Sequence, residues 1–301
     1  MLKVPDHQVA GHKGRDGMLG PLIDDSGHFY KPLQDDDRGS NEVAFYKSFS
    51  SNTEIPDHVR RFFPVFYGTQ LIEASDGSGL HPHLVMQDII SSHLYPSIMD
   101  VKIGSRTWPP QASEDYIQTH LKKDRDTTSI ALGFRISGLQ VRGSQESETW
   151  KPDKKLVKKF TAKDVRLVLR KFVSSNTSVD TGMDPDCSFA STVYGGSTGI
   201  LAQLLELKKW FEDQTIYHFF SCSVLMVYDK ESVVKERNYG AEVKLVDFAH
   251  VLEGKGVIDH NFLGGLCSLI KFIMEILTGC DEYEEAKASL QDPKKNCNYT
   301  D

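Results

Sequence analysis

The chain has 301 residues, with 35 lysines and arginines against 42 aspartates and glutamates, for a net charge of −7. Its 39% hydrophobic and 26% charged content is that of an ordinary globular protein, long enough for one large domain or two lobes with a cleft between them. An acidic chain of this kind is a poor general nucleic-acid binder, so that class is set aside.

Taken in chain order, Met1-Leu2-Lys3-Val4-Pro5-Asp6 lacks the apolar core of a signal peptide, and the cytosol or nucleus is the expected location. Gly11, Gly14, Gly17 and Gly20 punctuate the opening segment. Residues 28–31 read as a strand after the Asp25-Ser26-Gly27 turn. Residues 41–50 read as a helix, with Phe45 and Phe49 on one face and Glu42 one turn before Phe45 and Tyr46. The apolar run 84–86 predicts a buried strand, and 97–103 a second one. Ser113, ahead of Glu114 and Asp115, is a good N-cap for a helix over 113–123. Residues 144–152 are polar and read as a loop. From Lys151 to Lys171 nine basic residues face only Asp153 and Asp164, a local excess of +7 inside an acidic whole. That excess reads either as a solvated helix face or as an attractor for a highly anionic ligand. An amphipathic helix is expected over 162–173, a loop over 174–186 and a helix over 199–212. Strands follow at 221–228 and 242–248. The closing helix, 261–277, carries a core stripe of Leu266, Leu269, Ile270, Ile273, Ile276 and Leu277. Interrupted by Lys271 and Glu275, residues 262–277 read as too short and too charged to span a bilayer. The charged tail from Asp281 is expected to fray.

Five cysteines, Cys187, Cys222, Cys267, Cys280 and Cys297, have wide spacings and no CxxC pair. They are expected to be reduced packing residues and to form neither a disulfide framework nor a zinc site. The order of elements is an α+β layout.

Three segments carry chemistry. In Pro96-Ser97-Ile98-Met99-Asp100-Val101-Lys102-Ile103-Gly104, strand alternation turns Met99, Val101 and Ile103 to one face and Asp100 with Lys102 to the other. Such a pair is either a surface ion pair or a phosphoryl-transfer pair, in which Lys neutralises the moving group and Asp holds a hydroxyl. Val243-Lys244-Leu245-Val246-Asp247-Phe248-Ala249-His250 is an apolar strand ending in Asp. A carboxylate there suits Mg²⁺, which takes one or two protein carboxylates plus phosphate oxygens, and His250 could reach the same space. Lys31 and Glu42 fit the strand-lysine, helix-glutamate pair of kinase folds.

Together these segments resemble the inositol polyphosphate kinases, whose signature PxxxDxKxG reads PSIMDVKIG here. Other landmarks of that family follow in order: QVAGH at 8–12, FYKPLQ at 29–34, an RG…E…FY pattern over 38–46 and VDFAH at 246–250. The chain looks most like the plant inositol polyphosphate multikinases. The resemblance implies a two-lobed, protein-kinase-like fold: an N-terminal lobe over 1–90, a C-terminal lobe over 91–280 with an inositol-phosphate-binding helical segment near 105–130, and a tail over 281–301. It implies ATP and Mg²⁺ as cofactors. Lys31, held by Glu42, would bind ATP phosphates. Gln87, Asp88 and Ile89 would form the hinge that reads adenine, largely through backbone groups. Asp100 would hold the ATP ribose, with a role as base as the other reading. Lys102 would touch the γ-phosphate and the substrate, and Asp247 the metal. His250 would face inositol hydroxyls, and Lys123 substrate phosphates, with Gln118 and His120 as further ligands. Two departures stand out. The family's SSLL motif reads Cys222-Ser223-Val224-Leu225, which puts a role for the first serine in doubt. Gln87 replaces the Glu of animal members.

The activity so implied is phosphorylation of inositol 1,4,5-trisphosphate and tetrakisphosphates at the 3- and 6-hydroxyls, ending at a pentakisphosphate. Alternatives are a single-position trisphosphate 3-kinase, a hexakisphosphate kinase, or a kinase-fold scaffold that binds inositol phosphates. A protein kinase fits less well, because the chain has no HRDxxxxN loop and no DFG. Inositol polyphosphates are the expected partners, without nucleic acid or a membrane span. Location in nucleus and cytoplasm rests on the family, Lys154-Lys155-Leu156-Val157-Lys158-Lys159 being a weak import signal.

Overall fold

The computed structural model describes residues 1–9, 19–34, 36–143, 149–176, 184–230 and 240–291, with side chains to 279. The glycines at 11, 14 and 17, most of the QVAGH landmark, the middle of the 174–186 loop and Cys297 lie outside the described residues.

The first sheet has the order β1-β2-β4-β3, with β1 Leu22–Ile23, β2 His28–Pro32, β3 Phe66–Glu73 and β4 Leu80–Gln87, all antiparallel. The Asp25-Ser26-Gly27 turn delivers the chain into β2, Gly27 taking the φ of +83° that a side chain would resist. Strand alternation splits this sheet. Tyr30 packs outward with Leu22 and Val85, while Phe66 and Met86 face the helix α1, Asp37–Ser51, through Tyr46. That helix begins four residues earlier than the 41–50 expected. The Asp36 carboxylate accepts from the Arg38 N–H and caps it, and Gly39, Glu42, Phe45, Tyr46 and Phe49 form its buried face.

β4 ends at Gln87 and β5, Pro96–Ile103, opens the second sheet, of order β10-β9-β5-β6-β7. Its other strands are β6 Phe134–Arg142, β7 Thr149–Trp150, β9 Ser223–Asp229 and β10 Glu242–Val246. β5 is central and buried along its length, with Met99, Val101 and Ile103 fully so. Where β5 meets β6, Asp100 pairs with Gly138 but Val101 with Ile136, so β6 carries one extra residue beside Asp100 and Val101. The 144–152 segment is not wholly loop: Trp150 pairs with Val141, packs against the core, and has Lys171 over its ring at 5.1 Å.

Helices cover this sheet: α3 Glu114–Asp126, α6 Ala162–Phe172, α8 Ile200–Asp213 and α9 His260–Gln291, with the single turns α2 Asp57–Arg60, α4 Ser129–Leu132, α5 Lys154–Val157 and α7 Ala190–Val193. A two-stranded sheet pairs β8 Tyr217–Phe219 with β11 Val251–Glu253. Thr161 and Asp164 form a reciprocal capping box at the start of α6.

α9 corrects two expectations. It continues to Gln291 instead of fraying at Asp281, because Glu-Tyr-Glu-Glu-Ala-Lys-Ala-Ser-Leu is rich in strong helix formers. By length and composition alone, His260–Gly279 is also long and apolar enough to cross a membrane. Its apolar stripe nevertheless lies in the protein core: Leu266, Leu269, Ile270 and Ile273 are buried, and Phe262 stacks on Phe211 of α8 with centroids 4.4 Å apart. Glycines let it approach closely. A Cβ on Gly265 would stand 2.1 Å from the Gly133 carbonyl oxygen and 2.9 Å from the Gly104 nitrogen.

One hydrophobic cluster runs through both lobes, from Phe45, Tyr46 and Phe49 of α1 to Phe219, Phe248 and Phe262. Phe45 stacks on Phe248 at 4.5 Å. Cys187 and Cys222 are buried and Cys267 half-buried, all as free thiols.

Candidate functional site

The site begins with Lys31. Alternation along β2 turns it toward α1, where its Nζ donates to Glu42 Oε1 at 2.9 Å and to Asp247 Oδ1 at 3.0 Å. Burial disfavours its charge, but Glu42 and Asp247 more than offset this and hold the ammonium above its ordinary value. Glu42 also accepts the Phe248 N–H at 3.2 Å. One carboxylate thus ties the first sheet, α1 and the end of β10 together.

Asp247 follows the last residue of β10 and has a φ of +69°, so the strand stops there and the carboxylate turns into the cleft, 43% exposed. Its other oxygen lies 3.9 Å from Lys102 Nζ. Lys102 is held in place by Ser221, donating to its carbonyl at 2.6 Å and its hydroxyl at 3.2 Å. Ser221 also has a left-handed backbone, φ +57°.

Asp100 shares the Lys102 face of β5 and is 5% exposed. Its carboxylate and the Ser223 hydroxyl lie side by side, both buried. Burial, reinforced by Asp247, pushes the Asp100 carboxyl up to about 6 against the opposing pull of Lys102. An acid whose folded-state value is raised binds more protons folded than unfolded, so stability is undiminished below about 4, falls through 4–6 and stays reduced above. The Asp100→Asn variant should therefore be more stable than wild type at pH 8 by on the order of 2–3 kcal/mol, with little difference at pH 4. Thermal unfolding of ligand-free protein across this range checks it, and parallel curves for the two proteins would contradict it.

Across the cleft, α3 presents Tyr116, His120 and Lys123 on one face. Burial, with Arg135, Lys102 and Lys158 adding repulsion, lowers Lys123 to about 8. Burial first, then Lys123, lowers His120 to about 4. His250 is tied to Tyr116 by a 2.9 Å hydrogen bond. Gln118 falls on the opposite face: it is exposed and its amide donates to Glu114 Oε1 at 2.7 Å, so the structure does not bring it to His120 and Lys123. At the hinge, Gln87 and Asp88 engage their N–H groups with the Val65 and Gly27 carbonyls, each at 2.8 Å. The Gln87 side-chain oxygen accepts from the Val65 N–H at 3.4 Å. The Ile89 N–H has no partner among the described residues.

Sequence reasoning missed Arg135. It is 4% exposed and paired to Asp124 at 2.8 Å, with Nη2 lacking a partner. The clue was present in Phe134-Arg135-Ile136-Ser137-Gly138-Leu139-Gln140-Val141, an alternating strand interrupted by the extra residue of β6. The Arg135 charge is buried and matched by Asp124, so the half-buried ammonium groups of Lys102 and Lys123 are what suit an anion of several charges.

The model of the inositol polyphosphate kinase family matches residues 83–274. The chain belongs to the inositol polyphosphate kinase family. Inositol polyphosphate multikinase beta of Arabidopsis thaliana is 60% identical over 295 residues, 96% of this chain and 98% of the relative. Inositol polyphosphate multikinase IPK2 of Oryza sativa subsp. indica is 49% identical, over 93% of this chain and 96% of the relative. A solved structure from structural studies and protein engineering of an inositol phosphate multikinase has a TM-score of 0.67 and 56% identity, covering 78% of this chain and 99% of that one. The S. cerevisiae inositol phosphate multikinase Ipk2, solved with ADP and Mn²⁺, has a TM-score of 0.64 at 19% identity, over 83% of this chain and 99% of that one, and supports the fold. The two-lobed, kinase-like α+β fold is thus that of the inositol polyphosphate kinases. The matched segment includes Asp100, Lys102, Lys123, Asp247 and His250, while Lys31 and Glu42 precede it.

No group of three or more His, Cys, Asp or Glu residues is poised for a metal among the described residues. In this kinase family site, the half-exposed Asp247 carboxylate near the buried Asp100 carboxyl fits a divalent ion that arrives with nucleotide phosphates and takes most of its oxygens from them.

Proposed function

We propose that the chain transfers the γ-phosphoryl group of ATP to inositol polyphosphates, acting on inositol 1,4,5-trisphosphate and tetrakisphosphates at the 3- and 6-hydroxyls to reach a pentakisphosphate. The carrying observation is the ionic chain Glu42–Lys31–Asp247–Lys102, which abuts Lys123. Nucleotide binding draws support from the yeast multikinase solved with ADP and Mn²⁺, and we assign Mg²⁺ to Asp247. The ion neutralises phosphate charge when bound. Lys31 contacts ATP phosphates and Glu42 fixes it there. Ile89 offers its N–H to adenine. Asp100 holds the ribose, whose hydroxyls would donate to its carboxylate. Lys102 follows the γ-phosphoryl group from donor to acceptor, and Lys123 holds substrate phosphates. Positioning and charge neutralisation supply the rate, because the transition state is loose and needs no strong base.

Use of two ring positions requires more than one bound orientation. Single lysines, which act as point charges, allow that better than several bidentate arginine clamps. Incubation with ATP and inositol 1,4,5-trisphosphate is expected to yield a tetrakisphosphate and then a pentakisphosphate on anion-exchange chromatography, with positions 3 and 6 filled. Arrest at a single tetrakisphosphate would identify a one-position 3-kinase instead. We also propose residence in nucleus and cytoplasm. The basic run 154–159 is a poor import peptide as folded, since Val157 is buried in the core, so imaging of a fluorescent fusion is the test.

A further inference from the structure

Three aromatic side chains meet beside the phosphoryl-transfer site. Tyr116 Oη lies 2.9 Å from His250 Nε2, and its ring stacks on His120, with centroids 4.1 Å apart and planes 17° from parallel. Tyr116 and His120 are four residues apart on α3, which places both on one helical face. Tyr116 and His250 line a cleft of about 650 Å³ that reaches Asp36 and Arg38 at the start of α1.

The groups whose charge or polarity bears on His250 come from every side: Arg38 and Asp36 at the start of α1, Lys102 on β5, Asp247 after β10, and Tyr116 with His120 on α3. Burial first, then Arg38 and Lys102, lowers the imidazole below its ordinary value, so it is neutral near pH 7. Burial raises the Tyr116 hydroxyl, which stays a phenol. A neutral imidazole has one N–H and one lone pair. A phenol is a strong hydrogen-bond donor and a weak acceptor, whereas the imidazole lone pair is the better acceptor of the two.

We propose that Tyr116 is a positioning residue for inositol recognition: its O–H donates to Nε2 of His250 and so fixes the tautomer that carries the ring proton on Nδ1. His250 is then left with a single N–H to offer an oxygen of the substrate. Stacking on His120 holds the phenol ring in place. The result is an uncharged patch beside Lys102 and Lys123, able to bind a ring hydroxyl where a further cation would favour a phosphate. This inference rests on the reading, implied by the family resemblance, that His250 faces the inositol hydroxyls.

Tyr116→Phe keeps the ring and its stack and removes only the hydroxyl. Long-range ¹H–¹⁵N spectra of the full chain should show His250 as the Nδ1–H tautomer in wild type and as a tautomer mixture in Tyr116→Phe. The kcat/KM for inositol 1,4,5-trisphosphate should fall about tenfold, as expected for one lost hydrogen-bonded orientation, with KM for ATP unchanged. A wild-type proton on Nε2, or identical His250 spectra in the two proteins, overturns the proposal. So does an impaired His250→Ala beside a kinetically unaltered Tyr116→Phe. Full inositol phosphate turnover by His250→Ala overturns the placement of His250 itself.

Discussion

Lys102→Ala should lower kcat on inositol phosphates by on the order of 10²–10³-fold, the usual effect of removing one preorganised charge from a transition state. The ammonium is positioned before any ligand arrives: the Ser221 carbonyl and hydroxyl hold it, and Asp247 lies 3.9 Å away. Its stem leaves β5 beside fully buried Val101 and Ile103, whose packing the substitution leaves in place. The loss should therefore appear in kcat, with circular dichroism and thermal midpoint close to wild type. A folded Lys102→Ala enzyme with undiminished turnover would remove the residue from the mechanism.

Asp247→Asn should cost at least as much, on the order of 10³-fold in kcat/KM, because it removes the carboxylate assigned to the cation and one of the two that hold Lys31. Asparagine is the informative choice. The backbone here has a φ of +69°, a region that Asn tolerates and most side chains do not. Asp247→Ala should lose similar activity and, in addition, about 1–2 kcal/mol of stability from that backbone. Steady-state assays over a range of Mg²⁺ separate the causes. A weakened cation dependence in Asp247→Asn identifies the metal role, and an unchanged one would assign the loss to Lys31.

Which parts of this site can be read from sequence follows from how local their causes are. Asp100 and Lys102 share a face because a strand repeats every two residues, a rule that acts within the segment itself. The β2 strand, the N-cap at Ser113 and the buried stripe of α9 are legible for the same reason. The extra residue in β6 lies outside that rule and hides the alternation that would have exposed Arg135. The left-handed turns at Ser221 and Asp247 also escape, since neither residue type announces them. The Tyr116–His250 and Arg135–Asp124 contacts depend on which surfaces the tertiary fold apposes. Gln118 shows the converse. It is close in sequence to His120 and Lys123, yet 3.6 residues per turn places it on the far side of α3.

The aromatic cluster that joins the lobes has a consequence for control. In protein kinases the helix that carries the glutamate partner of the strand lysine can swing away, which makes an inactive state accessible at modest cost. In this chain the same rotation of α1 would separate Phe45 from Phe248 and disturb Tyr46 and Phe49, all buried in the shared core. At about 1.5–3 kcal/mol for each large apolar side chain exposed, that swing approaches the stability of a typical domain. The enzyme is therefore built without a latch. Its Lys31–Glu42 pair is expected to stay closed whether or not ligand is bound.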